Sequence, residues 1–134
     1  MKLLKHMLYI LLPFLAGCSS ILGSTAETIV LSSEMEGTYV EVYNDKDFVI
    51  EEGFTPLTVN LKKGDGYFLK EHYKIRAYRE DGFGCERELT PDISITYFLN
   101  LVIPGGFIGM LTVDPYTGSM WTFYQDTIVV DGVD

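Results

Sequence analysis

Apolar and polar residues alternate with a period of two through most of the chain, the repeat of half-buried strands. Residues 37–43 alternate faces, and residues 55–61 place Leu57, Val59 and Leu61 on one side. Residues 72–79 repeat the pattern, with Tyr73, Ile75 and Ala77 on one face and charged side chains on the other. That is the signature of an antiparallel sheet with one face in the core. β-Branched residues mark a strand over 28–33, alternation suggests another over 83–89, and 120–124 and 127–130 supply the last ones. Residues 44–47, 62–66, Asp81-Gly82 and Thr90-Pro91 carry the turn and breaker residues between them. The pattern predicts a mainly β fold: a small antiparallel β-sandwich with a short glycine-rich helical or hairpin segment near the C-terminus.

Residues 93–113 break the alternation and carry no charge. They are long enough on paper to cross a bilayer. Pro104-Gly105-Gly106 interrupts them, however, Asp92 and Asp114 flank them, and no Lys or Arg marks a cytoplasmic side. The expectation is a strand or short helix, a break at Pro104, and a helix over 106–113 packed closely on the sheet through glycines. A turn should follow at Asp114-Pro115-Tyr116-Thr117-Gly118.

The first eighteen residues follow a different logic. Lys2 and Lys5 form a basic head, residues 7–15 an apolar run too short for a comfortable permanent span, and Ala16-Gly17 a small-residue approach to Cys18. Leu15-Ala16-Gly17-Cys18 resembles the lipobox of bacterial lipoproteins. The resemblance implies that signal peptidase reads Leu15, Ala16 and Gly17, that the Cys18 thiol takes a diacylglyceryl group, and that cleavage makes Cys18 the new N-terminus. By resemblance to enterobacterial sorting, Ser19 permits transfer to the outer membrane of a Gram-negative host. The expected organisation is a lipoprotein signal peptide over 1–17, a lipidated tether over 18–27, a β domain over 28–92, and an apolar glycine-rich tail over 93–134 packed on that same domain.

Two further resemblances concern the mature chain. Gly53, Thr55-Pro56, the alternation from Leu57 to Leu61, Gly64, Tyr73, Ile75, Ala77 and Gly82-Phe83 look like a PEGA-type domain, a small β-sandwich module of bacterial envelope proteins. Pro104-Gly105-Gly106, Gly109, Val113-Asp114 and Thr117-Gly118-Ser119-Met120-Trp121 look like the ending of small bacterial lipoproteins that have no assigned activity.

Charge narrows the partners. Ten cationic side chains face nineteen carboxylates, a net −9 that becomes more acidic once Lys2 and Lys5 are removed. Such a chain lacks the clustered cations that displace counterions from nucleic acid, and it lacks a polybasic membrane patch.

Chemistry-bearing residues are few. His72 opens a predicted strand and reads as a surface or edge residue, and no Gly-x-Ser-x-Gly accompanies it. With Cys18 lipidated, Cys85 is left without an internal partner. It reads as a small buried strand residue, the alternatives being a reactive thiol or an intermolecular bridge. The one histidine and one unlipidated cysteine of the expected mature chain cannot assemble a zinc tetrad, so no metal or cofactor is expected. Asp45-Lys46-Asp47 starts like a calcium loop but meets Val49 and Ile50 where a ligand and a glycine are needed. Gly64-Asp65-Gly66 and Gly82-Phe83-Gly84 are turn glycines without a phosphate-loop pattern.

No catalytic residues are assigned. The expected function is that of a membrane-anchored, non-enzymatic envelope lipoprotein that binds another envelope protein or cell-wall glycan such as peptidoglycan. The alternative is a cell-wall glycan hydrolase or inhibitor using carboxylate pairs, Glu51-Glu52 or Glu86 with Glu88, beside Trp121 and its neighbouring tyrosines. Convergent carboxylates next to an exposed Trp121 would favour the second, a buried Trp121 the first.

Overall fold

A computed structural model describes residues 24–79, 82, 84–102 and 106–130. The signal segment, Cys18, Ser19 and the expected break at Pro104 lie outside these residues. Among the described residues, nine strands and two helices follow in order: β1 (Ala26–Ser32), β2 (Tyr39–Tyr43), β3 (Val49–Phe54), β4 (Leu57–Lys62), β5 (Tyr73–Tyr78), β6 (Gly84–Leu89), β7 (Asp92–Ile93), α1 (Ile95–Leu99), α2 (Gly106–Thr117), β8 (Trp121–Thr122) and β9 (Thr127–Val129).

The protein is mainly β, as the alternation predicts. One sheet has the order β4-β1-β9, a second β3-β2-β5-β6, and β7 pairs with β8. Among these pairings only β1 with β9 is parallel. Ile29, Leu31, Val59, Leu61 and Ile128 from the first sheet and Val40, Val42, Tyr73, Ile75 and Ala77 from the second form one buried core, so the two sheets pack as a small sandwich. The tail is part of it, because Phe123, Ile128 and Val130 enter that core and Arg87 on β6 donates to the Val129 carbonyl at 2.9 Å.

β3 has no counterpart in the sequence reading. Val49-Ile50-Glu51-Glu52-Gly53-Phe54 does not alternate, because β3 is an edge strand exposed along most of its length and no buried face imposes a period. The turn before it is as expected: Asn44 Oδ1 accepts from the Lys46 and Phe48 amides, and Asp47 takes a positive φ of 56°.

The tail departs from expectation in two ways. α2 continues to Thr117 with Pro115 inside it, so the predicted turn at 114–118 is helix until Gly118, whose φ of +77° ends it. Pro115 cannot donate to the Leu111 carbonyl; the Tyr67 hydroxyl donates there instead, at 2.8 Å. α2 also packs on α1, the 64–69 loop and, through Met110, Trp121 of the small β7-β8 pair rather than on either larger sheet. The closest approach is at Gly106, where a Cβ would stand 2.2 Å from the Asn100 carbonyl oxygen. Gly64 and Gly118 lie back to back, a Cβ on Gly64 falling 2.7 Å from Gly118 Cα, so Gly64 serves a contact as well as a turn.

Buried polar groups tie these pieces together. Asp114 accepts from Asn100 Nδ2 at 2.7 Å and from Ser119 Oγ at 3.2 Å, joining α1 to the end of α2. Ser94 caps α1 by accepting from the Thr96 amide, while its own amide donates to Met120. Glu27 accepts from Lys63 Nζ at 2.9 Å, from Thr122 Oγ1 at 2.9 Å and from the Phe123 amide at 2.8 Å, fastening β1 to the end of β4 and to the C-terminal strands.

Candidate functional site

On the β3-β2-β5-β6 sheet, the side opposite the core carries three cross-strand rows set by the register. Phe54, Tyr39 and Tyr78 form the first row, Glu52, Glu41, Arg76 and Glu86 the second, and Tyr43, Lys74 and Glu88 the third. Alternation puts these residues outward because Val40, Val42, Ile75 and Ala77 point into the core.

The aromatic row is a connected platform. The Tyr39 ring meets Phe54 edge-on at 5.4 Å between centroids and tilts against Tyr78 at 6.1 Å. Phe54, at the edge-strand end of the row, is 65% exposed, a large apolar ring left open to solvent. The platform forms one side of an open depression of about 620 Å³, with Met35, Glu36 and Arg79 also on its lining.

The loop that walls this depression is held by its own hydrogen bonds. Thr38 Oγ1 donates to the Met35 carbonyl at 2.8 Å and lies 2.7 Å from Ser33 Oγ. The Thr38 amide donates to Thr55 Oγ1 at 3.2 Å, and the backbone pairs Gly37 with Thr55 and Thr55 with Thr38. Gly37 turns the chain at a φ of +80° with open space where a Cβ would be, so glycine is there for its dihedral. The wall is therefore fixed by contacts within the chain itself.

Most polar groups of the second and third rows are hydrogen-bonded within a row, between rows or to the turn before β3. Glu52 accepts from the Tyr39 hydroxyl at 3.0 Å, which holds that phenol above its ordinary value. Glu41 accepts from Tyr43 at 2.6 Å and pushes it up to about 12. Arg76 binds Glu86 at 2.6 Å and lies 4.7 Å from the centre of the Tyr43 ring; the Glu86 bond first, then Tyr43, raise it above the usual guanidinium range. Lys74 is raised by its bond to Asp47 at 3.1 Å.

The residues singled out from sequence divide clearly. Trp121 is 8% exposed, in a second small core with Tyr97, Met120 and Met110, so it is no stacking platform. Glu51 and Glu52 are neighbours on β3 and point to opposite faces, while Glu86 is occupied by Arg76. The carboxylate pairs and Trp121 therefore do not build the cleft that the hydrolase alternative requires. His72 stands just before β5, exposed, with Nδ1 3.1 Å from Thr90 Oγ1. Cys85 is half-buried on β6 opposite Ala77, not fully enclosed as expected. Among the described residues no group of three or more His, Cys, Asp or Glu could hold a metal ion, and no helix is long and apolar enough to cross a membrane.

Sequence reasoning missed the aromatic row. Alternation already places Tyr39 on the face of Glu41 and Tyr43, but the row becomes visible only when β3 supplies Phe54 and the register aligns Tyr78. In comparisons with family models, curated proteins and solved structures, nothing matches this chain.

Proposed function

We propose that the chain is a non-enzymatic, lipid-anchored envelope lipoprotein whose PEGA-like β domain binds another envelope component, a protein or a cell-wall glycan, at the Phe54-Tyr39-Tyr78 platform. The observation that carries this reading is the exposed aromatic row beside a pre-formed loop. Flat aromatic faces with hydroxyls and carboxylates at their edge suit a sugar ring or an apolar side chain flanked by hydrogen-bonding groups. The acidic residues around the row disfavour polyanions.

Placement supports the same reading. The loop walling the depression follows directly from the end of β1 at Ser32, whereas the chain toward Cys18 leaves from the other end at Ala26. Seven residues of strand put these ends roughly 20 Å apart. A lipid on Cys18 would tether the domain by the end opposite the platform.

The test is a photo-crosslinking residue at position 78 of the full-length protein, used in intact envelopes and analysed by mass. A discrete adduct with one envelope protein, or with a cell-wall fragment, supports the reading and tells the two apart. A pattern no different from the same probe at exposed Thr58 on β4 counts against the platform.

A further inference from the structure

The strongest unexplained feature is the pole built by α1, α2 and the 64–69 loop. A helix that is apolar on every side normally lies in a core or in lipid. α2 does neither among the described residues: Phe107 is 56% and Ile108 68% exposed, and beside it Val102 is 81% exposed. Phe98, Tyr67 and Phe68 extend the same surface, because Tyr97 donates to the Met110 carbonyl, Tyr67 to that of Leu111, and the Phe68 amide to that of Pro115. No residue from Ile93 to Val113 is charged, and Asp114 is buried and hydrogen-bonded. Such a patch marks an interaction site.

We propose that this pole docks on a lipid bilayer, seating α1, α2 and the 64–69 loop at the boundary between headgroups and acyl chains. The start of β1 says what covers it. The Thr25 carbonyl accepts from the Lys63 amide at 3.1 Å, and the next residue, Gly64, lies against Gly118 at the end of α2. The chain toward Cys18 therefore leaves the domain at the apolar pole. Cys18 lies eight residue steps before Ala26, an extended reach of roughly 28 Å at most. A lipid at Cys18 therefore holds the point where the chain enters this pole within that distance of the bilayer. The aromatic rings and the lack of any cation from Ile93 to Val113 fit an interfacial hydrocarbon contact rather than attraction to anionic headgroups. The docking rests on the lipid-anchor reading only for this nearness; the apolar surface is independent of it.

The test uses full-length protein in phosphatidylcholine vesicles containing a lipid with a diazirine in its acyl chain. After irradiation, adducts are mapped by mass spectrometry. Docking predicts adducts on peptides covering 95–117 and 67–69 and none on β4, and a Val102→Glu, Ile108→Glu double variant, at two exposed positions, should lose most of the helical adducts. Cys18 acylation is read from the same digest. Acylated Cys18 with no helical adduct overturns docking and leaves the anchor standing; helical adducts with unacylated Cys18 do the reverse. A dimer that forms in place of the lipid adducts and is abolished by the double variant also overturns docking, in favour of a second copy.

Discussion

Lys63 Nζ lies 2.9 Å from Glu27 Oε1, and the lysine side chain is only 3% exposed. Alternation explains why both are there: Glu27 shares a face with Ile29 and Leu31, and Lys63 with Val59 and Leu61, so both point inward at one end of the sandwich. Breaking a buried pair by removing one partner is costly because a charge stays buried alone. Glu27→Gln should destabilise the fold by about 3 kcal/mol, at the low end for such pairs because Glu27 is partly exposed. A loss below about 1 kcal/mol in denaturant titrations would show that the pair does not matter.

The same residue sets an acid dependence. Burial opposes ionisation of Glu27, but Lys63, the Phe123 amide and Thr122 outweigh it and hold the carboxyl below its ordinary value of 4.5. A carboxylate lowered on folding contributes stability that is complete above its unfolded value and is lost as pH falls through the folded one. Melting temperatures of wild type and Glu27→Gln should therefore converge as pH drops below about 4.5. A gap that stayed constant as pH fell well below 4.5 would contradict the assignment.

Glu71 works in the opposite direction. Burial, then the charges of Asp65 and Asp45, raise its carboxyl, and its Oε2 is buried without a hydrogen-bond partner. Its contribution is favourable below the unfolded pKa and disappears as pH rises through the folded one. Glu71→Gln should then raise the melting temperature at pH 7 and leave it nearly unchanged at pH 4; a lower melting temperature at pH 7 refutes the sign.

Three glycines should respond differently to alanine. At Gly118 the φ of +77° and a Cβ 2.8 Å from the Gly64 amide nitrogen both oppose the substitution. At Gly106 the dihedral is ordinary but the Asn100 carbonyl blocks the Cβ, so overpacking alone costs about 1 to 3 kcal/mol. At Gly37 the space is open and only the left-handed dihedral penalises alanine, by about 1 to 2 kcal/mol. Thermal melts should rank Gly118→Ala as the most damaging. If it matched Gly37→Ala, the glycine contact between the 64–69 loop and α2 would carry no weight.

Phe54→Ala should leave folding nearly intact, since the ring is mostly exposed on an edge strand, while reducing capture of the envelope partner severalfold. The scale is that of an aromatic anchor at an interface, about 1 to 2 kcal/mol or tenfold. Equal capture by wild type and variant, with equal melting temperatures, would remove Phe54 from the platform.

What could be read from the sequence follows from where a periodic signal exists. β2, β4 and β5 bury one face each, so alternation exposed them, and the inward direction of Glu27 and Lys63 was implicit in the same period. β3 buries little and left no pattern, which hid Phe54 and with it the platform. Pro115 looked like a helix breaker, but Tyr67, distant in sequence, supplies the lost donor to Leu111. Aromatic spacing reads Trp121 as core or cross-strand rather than as a stacking platform, and its core partner Tyr97 comes from α1, the short helix that the uncharged segment left open beside a strand.

The most direct measurement is mass spectrometry of the protein isolated from cells grown with a fatty-acid probe, beside a Cys18→Ser variant. Wild type should begin at an acylated Cys18 and carry the probe, and Cys18→Ser should be unlabelled and retain residues 1–17. An unlabelled wild type, or equal labelling of both proteins, would contradict the lipid-anchored reading.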